Sequence, residues 1–175
     1  MKSIRVFTAL FVLLASACTG VPKGITPVSN FELTPYLGTW YEIARLDHSF
    51  ERGLSNVTAQ YTLRDDGGVV VKNRGYQDSK ARWKEATGKA YFKGASDVGH
   101  LKVSFFGPFY GSYVVFELDS ENYSYAFVTS YNKESLWFLS REPEVSDAQY
   151  QRFIEQADAL GFEVSEIMRV EHNRQ

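Results

Sequence analysis

Cysteine is nearly absent: Cys18 is the only one, which excludes an internal disulfide and a zinc site built on thiolates. Histidine is as sparse. His48, His100 and His172 stand far apart, none in metal-ligand spacing with another His or a carboxylate, so no metal is expected. An excess of one charge is also lacking. With Lys and Arg totalling 19 against 21 Asp and Glu, nothing drives the chain towards a polyanion, and nucleic acid is not an expected partner. The chain contains no G-x-S-x-G elbow for a nucleophile and no G-x-x-x-x-G-K loop for phosphates. Asp65-Asp66 stands in a turn with Gly67-Gly68, where carboxylates point to solvent. Neither enzymatic activity nor a cofactor is therefore expected. What the chain does have is aromatic bulk, 13 Phe, 11 Tyr and 3 Trp in 175 residues, enough for one domain with a sizeable core.

Lys2 and Arg5 precede an uncharged run, Val6 to Ala17, that is shorter than the roughly 20 residues a spanning helix needs, so residues 1–17 read as a secretory signal. Ala15, Ser16 and Ala17 lead directly into Cys18, and this stretch resembles a bacterial lipobox. The resemblance implies cleavage before Cys18 and membrane attachment through lipid on its thiol; the alternative is an ordinary cut that leaves the thiol free. Thr19, in place of Asp, resembles the signal for the outer membrane, with the protein anchored on its periplasmic face. Losing Lys2 and Arg5 leaves the remainder mildly acidic. Residues 18–30, with Pro22, Pro27, Gly20 and Gly24 and no periodicity, read as a lipid-anchored tether before a domain at 31–175.

From Thr39 onward the hydrophobic period is two. Asn56 to Arg64 is the cleanest strand, with Val57, Ala59, Tyr61 and Leu63 on one face and Thr58, Gln60, Thr62 and Arg64 on the other. Asp65 to Gly68 turns the chain into Val69 to Tyr76 as a hairpin. Thr39–Leu46, Arg82–Phe92, His100–Phe106, Ser112–Leu118, Tyr125–Tyr131 and Leu136–Arg141 complete eight strands joined by short turns. This predicts an all-β fold, an eight-stranded up-and-down antiparallel β-barrel wide enough for one small ligand. The period then changes: Tyr150, Phe153, Ile154, Ala157 and Leu160 mark one C-terminal α-helix over Ser146 to Leu160, opened by a Ser146/Gln149 capping box and ended by Gly161. Phe162 to Val170 reads as a short returning strand. The sequons at Asn56 and Asn122 are read as chance beside a bacterial signal.

Gly38-Thr39-Trp40-Tyr41-Glu42-Ile43-Ala44-Arg45 resembles the first signature of the lipocalins, and Leu136 to Arg141 resembles their third. Of the middle signature only Asp119 matches. Phe50 to Gly53, Arg64 to Gly68 and Lys102 to Gly111, together with the lipobox, are similar to the bacterial, apolipoprotein D-like branch of that family. The resemblance implies a structural barrel floor in which Arg141 stacks on Trp40 beside Gly38, a cation over an indole being favourable by roughly 0.5 to 2 kcal/mol. It also implies fatty acids or lysophospholipids as ligands, held for storage or transport in the envelope.

The family's barrel parity implies inward-facing ligand contacts from Val57, Ala59 and Tyr61; Val71 and Asn73; Ala86, Gly88 and Ala90; Leu101, Val103 and Phe105; Tyr113 and Val115; Ala126 and Val128; and Trp137. Ala59, Ala86, Gly88, Ala90 and Ala126 are too small to fill an interior, so room is expected opposite Phe105, Tyr113 and Trp137. Tyr61, Asn73 and Tyr113 are candidates for holding a carboxylate or head group. The same parity turns Glu42 inward near the floor, to be satisfied by backbone donors or a neighbouring Tyr. Asp47 to Ser55 and Phe106 to Gly111 belong at the open mouth, where Phe50, Phe109 and Tyr110 could touch membrane, a partner or a second copy in a homodimer. Three classes of function stay open at this point: a lipid carrier, a structural or partner-binding lipoprotein with no small-molecule ligand, and a lipocalin-type enzyme. The carrier fits the residues best.

Overall fold

The computed structural model describes residues 19–174; the expected signal and Cys18 lie outside the described residues. A short helix α1 (Leu33–Tyr36) precedes eight strands: β1 (Gly38–Leu46), β2 (Leu54–Leu63), β3 (Val69–Gln77), β4 (Arg82–Phe92), β5 (His100–Phe106), β6 (Phe109–Leu118), β7 (Tyr125–Thr129) and β8 (Leu136–Ser140). Helix α2 (Asp147–Ala159) and a short strand β9 (Ile167–Arg169) follow. Each strand from β2 to β8 pairs with the next, and β1 pairs with both β8 and β2, which closes the antiparallel barrel.

Local chemistry accounts for the turns. Between β2 and β3 the Asp66 carboxylate accepts from Arg64 and from the Gly68 amide (3.0 Å), while Gly67 takes φ +77°, a left-handed conformation that glycine adopts without a Cβ clash. The capping box at α2 forms as the sequence predicts, Ser146 Oγ accepting from the Gln149 amide and the Gln149 side chain accepting from the Ser146 amide. At its other end Lys133 donates to the Leu160 carbonyl at 2.6 Å, a cation placed where helix carbonyls lack partners.

Two cores result. One fills the barrel, with Trp40, Tyr61, Val71, Leu101, Val115, Val128 and Leu139 from the strands and Phe31 and Tyr36 from the segment before β1. The other lies between the outer wall of the barrel and α2, where Phe153 and Ala157 pack with Phe127 and Phe138.

The structure departs from the sequence reading in five places. Strand β6 begins at Phe109 and not at Ser112, because Gly107 and Pro108 alone make the turn. Strands β7 and β8 stop at Thr129 and Ser140, short of Tyr131 and Arg141. The final strand is only Ile167–Arg169, after a turn of 3-10 helix at Val164–Glu166. Helix α1 is unanticipated. Residues 19–30, read as a tether, are docked on the wall: the Val28 amide donates to Val115 O and the Gly99 amide to Val28 O, each at 2.9 Å, and Ile25 is buried.

The barrel has one seam. β1 and β2 pair only from Gly38 to Tyr41; above that point β9 takes the free edge of β1 at Ala44 to Leu46, and the Asn56 amide donates to Glu171 O at 2.7 Å. Asn56 is buried at φ +52°, a region that Asn tolerates better than most residues, and its Oδ1 accepts from the amides of Asn173 (2.9 Å) and Arg174 (2.8 Å). Asn56→Ala strands those donors, so a loss of about 1–3 kcal/mol in unfolding free energy is expected by urea denaturation; an unchanged midpoint would show that the C-terminal segment does not hold the seam.

Candidate functional site

The lower end of the barrel is shut. Arg141 lies with its guanidinium carbon 3.9 Å from the centre of the Trp40 ring and donates to the carbonyls of Pro35 (2.6 Å), Thr39 (2.8 Å) and Leu37 (2.9 Å). Trp40 Nε1 donates to Tyr36 O at 2.8 Å. Gly38 sits at φ +97°, a left-handed conformation that glycine adopts without strain, beside the guanidinium. On the same end Asp119 accepts from the amides of Glu121 and Asn122 and from Ser124, bracing the β6–β7 turn.

Above this floor the structure gathers Ala59, Tyr61, Val71, Ala90, Leu101, Val103, Phe105, Tyr113, Val115, Ala126, Val128 and Trp137 into the interior core. Val57 is buried over Gly75 at a bulge in β2. A partly open cavity of about 20 Å³ is lined by Phe31, Leu33, Tyr36, Tyr61, Val69, Val71, Ala90, Leu101, Val103 and Tyr113. That is space for about one water. The expected room is smaller than the small side chains suggested, for two reasons. Phe31, Leu33 and Tyr36, unforeseen as a plug, enter from below. Gly88 is no contribution to free volume either: a Cβ there would lie 2.6 Å from Ser104 O and 2.9 Å from the Phe105 ring, so its missing side chain accommodates its neighbours.

Towards the upper end the interior meets solvent. Ala86 faces inward by its pairing with Asn73 and yet is exposed, and Ala59, Asn73, Gly88, Val103, Phe105 and Trp137 are only half-buried. Asn73 Oδ1 is buried without a partner among the described residues. At the boundary between vestibule and cavity, the Tyr113 hydroxyl joins those of Tyr36 (2.7 Å) and Tyr61 (2.9 Å). Burial raises all three phenols, so they stay protonated. Three hydroxyls sharing two hydrogen bonds leave one O–H for an outside acceptor.

A buried ionic group at the mouth was not legible in the sequence. Glu42 pairs across from Leu139, but a bulge between Glu42 and Ala44 shifts the register and sets Arg45 opposite Trp137, inside the barrel. Arg45 donates to Glu42 (2.7 Å), to Glu51 O (3.0 Å) and to Leu54 O (3.2 Å), and Trp137 Nε1 donates to the Glu51 carboxyl (3.0 Å). The partner of Glu42 is thus a guanidinium at the mouth, which corrects the expectation of backbone donors or a Tyr near the floor. Burial pushes both carboxyls up, and the Glu51 charge adds to the effect on Glu42. The Arg45 guanidinium opposes the rise on both carboxyls without cancelling it. His48 stacks on Phe50 at 4.3 Å and packs against Trp137 at 5.0 Å, which folds the loop between β1 and β2 over the mouth.

A family model described as a lipocalin-like domain matches residues 31–172. A curated protein named outer membrane lipoprotein Blc, from Vibrio cholerae, is 58% identical over 166 residues, covering 95% of this chain and 97% of that protein. The protein of the same name from Escherichia coli K12 is 51% identical over 164 residues, 94% and 92% of the two chains. Apolipoprotein D of Bos taurus is 31% identical over 120 residues, 65% of this chain and 62% of that one. Among solved structures, insecticyanin from the tobacco hornworm Manduca sexta superposes with a TM-score of 0.67 at 19% identity, covering 87% of this chain and 86% of its own, a likeness of fold.

Burial, and after it the nearby Arg45 charge, lowers His48 from 6.5 to about 4. A depressed folded-state value means that the contribution of the neutral ring is complete above 6.5 and is lost as pH falls through about 4. Relative to His48→Phe, the wild-type protein is expected to lose stability as pH is lowered across that window, measured by urea denaturation at several pH values. Parallel curves for the two proteins would remove His48 from the mouth's pH response.

Proposed function

The chain belongs to the lipocalin family and is an outer-membrane lipoprotein with a barrel for a lipid or other small hydrophobic ligand, and from that premise we propose that it carries fatty acids or lysophospholipids. One observation carries the reading: an apolar interior, open at one end, meets three linked phenols with one O–H to spare. A neutral phenol donor suits a carboxylate or an ester oxygen, and the apolar wall around it suits an acyl chain. Asn73, with its free side-chain oxygen in the vestibule, offers an acceptor to a head-group donor. The barrel binds its ligand without transforming it, and lipid on Cys18 holds the protein at the periplasmic face of the outer membrane. In this reading residues 1–17 are a signal, and 18–30 link the anchor to the domain at 31–175.

A second reading draws on the small cavity volume of about 20 Å³. In it the barrel is a filled scaffold, and the lipoprotein acts through a partner protein or as a structural element.

Titrating the domain without its anchor, below the micellar concentration of a fatty acid and of a lysophospholipid, should give saturable one-site quenching of tryptophan fluorescence. Tyr113→Phe removes the hydroxyl that joins the other two. It is expected to weaken binding by up to about tenfold while leaving the fold intact. A flat response to both lipids from folded protein would overturn the carrier and favour the filled scaffold. Separately, Cys18→Ser should move the protein from the membrane fraction to the soluble periplasm; retention in the membrane would refute the anchor.

A further inference from the structure

Among the described residues, large apolar side chains on the surface are few and unevenly placed. Phe106 (81% exposed), Phe109 (79%), Phe50 (56%) and Tyr131 (41%) all stand on loops or strand ends at the open end of the barrel, and only Leu63 (56%) lies at the closed end. Phe106 and Phe109 face each other across the β5–β6 turn as a paired register position. Exposed Lys80 and Arg82 stand with Asp78 on the neighbouring turn between β3 and β4, and Arg52, which follows Phe50, pairs with Asp47 at 2.7 Å. Exposed aromatic rings beside charged groups of both signs match the boundary between acyl chains and headgroups in a bilayer.

The path of the N-terminal segment agrees with this placement. Ser112 Oγ donates to Gly20 O at 2.6 Å, so the strap that begins at the floor climbs the wall of β6. Ser112 stands about 10 Å along that strand from Phe109 and about 20 Å from Leu118 at the closed end, at roughly 3.3 Å per residue. Gly20, two residues after Cys18 in the sequence, is thereby held on the half of β6 nearer the rim.

We propose that the open rim of the barrel is a membrane-docking surface, with Phe50, Phe106 and Phe109 seated among the acyl chains of the same phospholipid leaflet that holds the lipid on Cys18. The mouth then faces the bilayer directly, and a hydrophobic ligand enters or leaves without crossing water. The orientation rests on the Cys18 anchor but not on which lipid the barrel holds.

The test uses the mature lipidated protein, purified from membranes and reconstituted in vesicles of phosphatidylethanolamine and phosphatidylglycerol, some with brominated acyl chains. Phe109→Trp and Leu63→Trp each add a tryptophan at an exposed apolar site, one at either end, with the wild-type emission as background. The added emission at position 109 should be lost to the brominated chains, and that at position 63 should persist. Flotation with the vesicles but no quenching at 109, or equal quenching at both ends, overturns the docking surface and leaves the anchor standing. Failure of the protein to float overturns both. Cross-linking of two copies through Phe109 with no quenching would assign the patch to a homodimer and likewise refute membrane docking.

Discussion

Closure of the barrel depends on β1, the one strand that forms ladders with three others. An eight-stranded meander has two free edges, and a free edge is a template for unwanted pairing unless it is covered. Joining β8 to β2 through β1 removes both, but one strand cannot follow both neighbours over its whole length. The register shift between Glu42 and Ala44 is where it yields. Below the shift β1 pairs with β2; above it that edge passes to β9. The same shift turns Arg45 into the barrel, and with it come Glu42, Glu51 and the loop that covers Trp137. The geometry of the mouth is therefore a consequence of how the barrel closes.

The parts of the fold that repeat were legible in the sequence, and the parts that interrupt a repeat were not. Alternation from Val57 to Tyr61 survives as β2 because one face of that strand packs on the core while the other stays wetter; Leu63, expected on the inner face, is exposed at the strand's end. The α2 stripe and its capping box are local signals, and both appear in place. Helix α1 has only four residues, too few to show a period, yet it delivers Tyr36 beneath Trp40 and Tyr61. Residues 19–30 hold the wall through single backbone bonds and isolated apolar contacts, a mode with no pattern to find. Bulges are equally silent, because one added residue changes every later facing without changing composition. Arg45 was hidden for that reason. Gly88 misled for another: a small residue signals free volume only if no neighbour occupies it, and here Phe105 does.

The interior is graded from bottom to top. At the floor, Trp40, Tyr36 and Phe31 are buried and tied together by ring contacts and by the Arg141 bonds to three carbonyls. At mid-height the phenol trio forms the only linked hydroxyl group among the described residues of the inner core. The vestibule above has exposed Ala86, half-buried Trp137 and the Asn73 oxygen without a partner. Polar atoms left without partners in a protein interior are costly, by about 1–3 kcal/mol each, and a ligand that satisfies them recovers part of that cost.

A hydrophobic ligand larger than the cavity of about 20 Å³ would enter only by displacing side chains, and the packing ranks which ones yield. Phe31 and Tyr36 pack with tilted rings 5.0 Å apart and are almost wholly buried, so moving either opens the floor. Phe105 is different. It is half-buried, sits where β5 shifts register between Val103 and Phe106, and covers the empty side of Gly88. The wall beside Gly88 is closed from two sides, by the Ser104 backbone carbonyl and by this ring, so only the side that Phe105 covers depends on a side chain. That ring belongs to the same β5–β6 hairpin that carries the exposed phenylalanines of the rim.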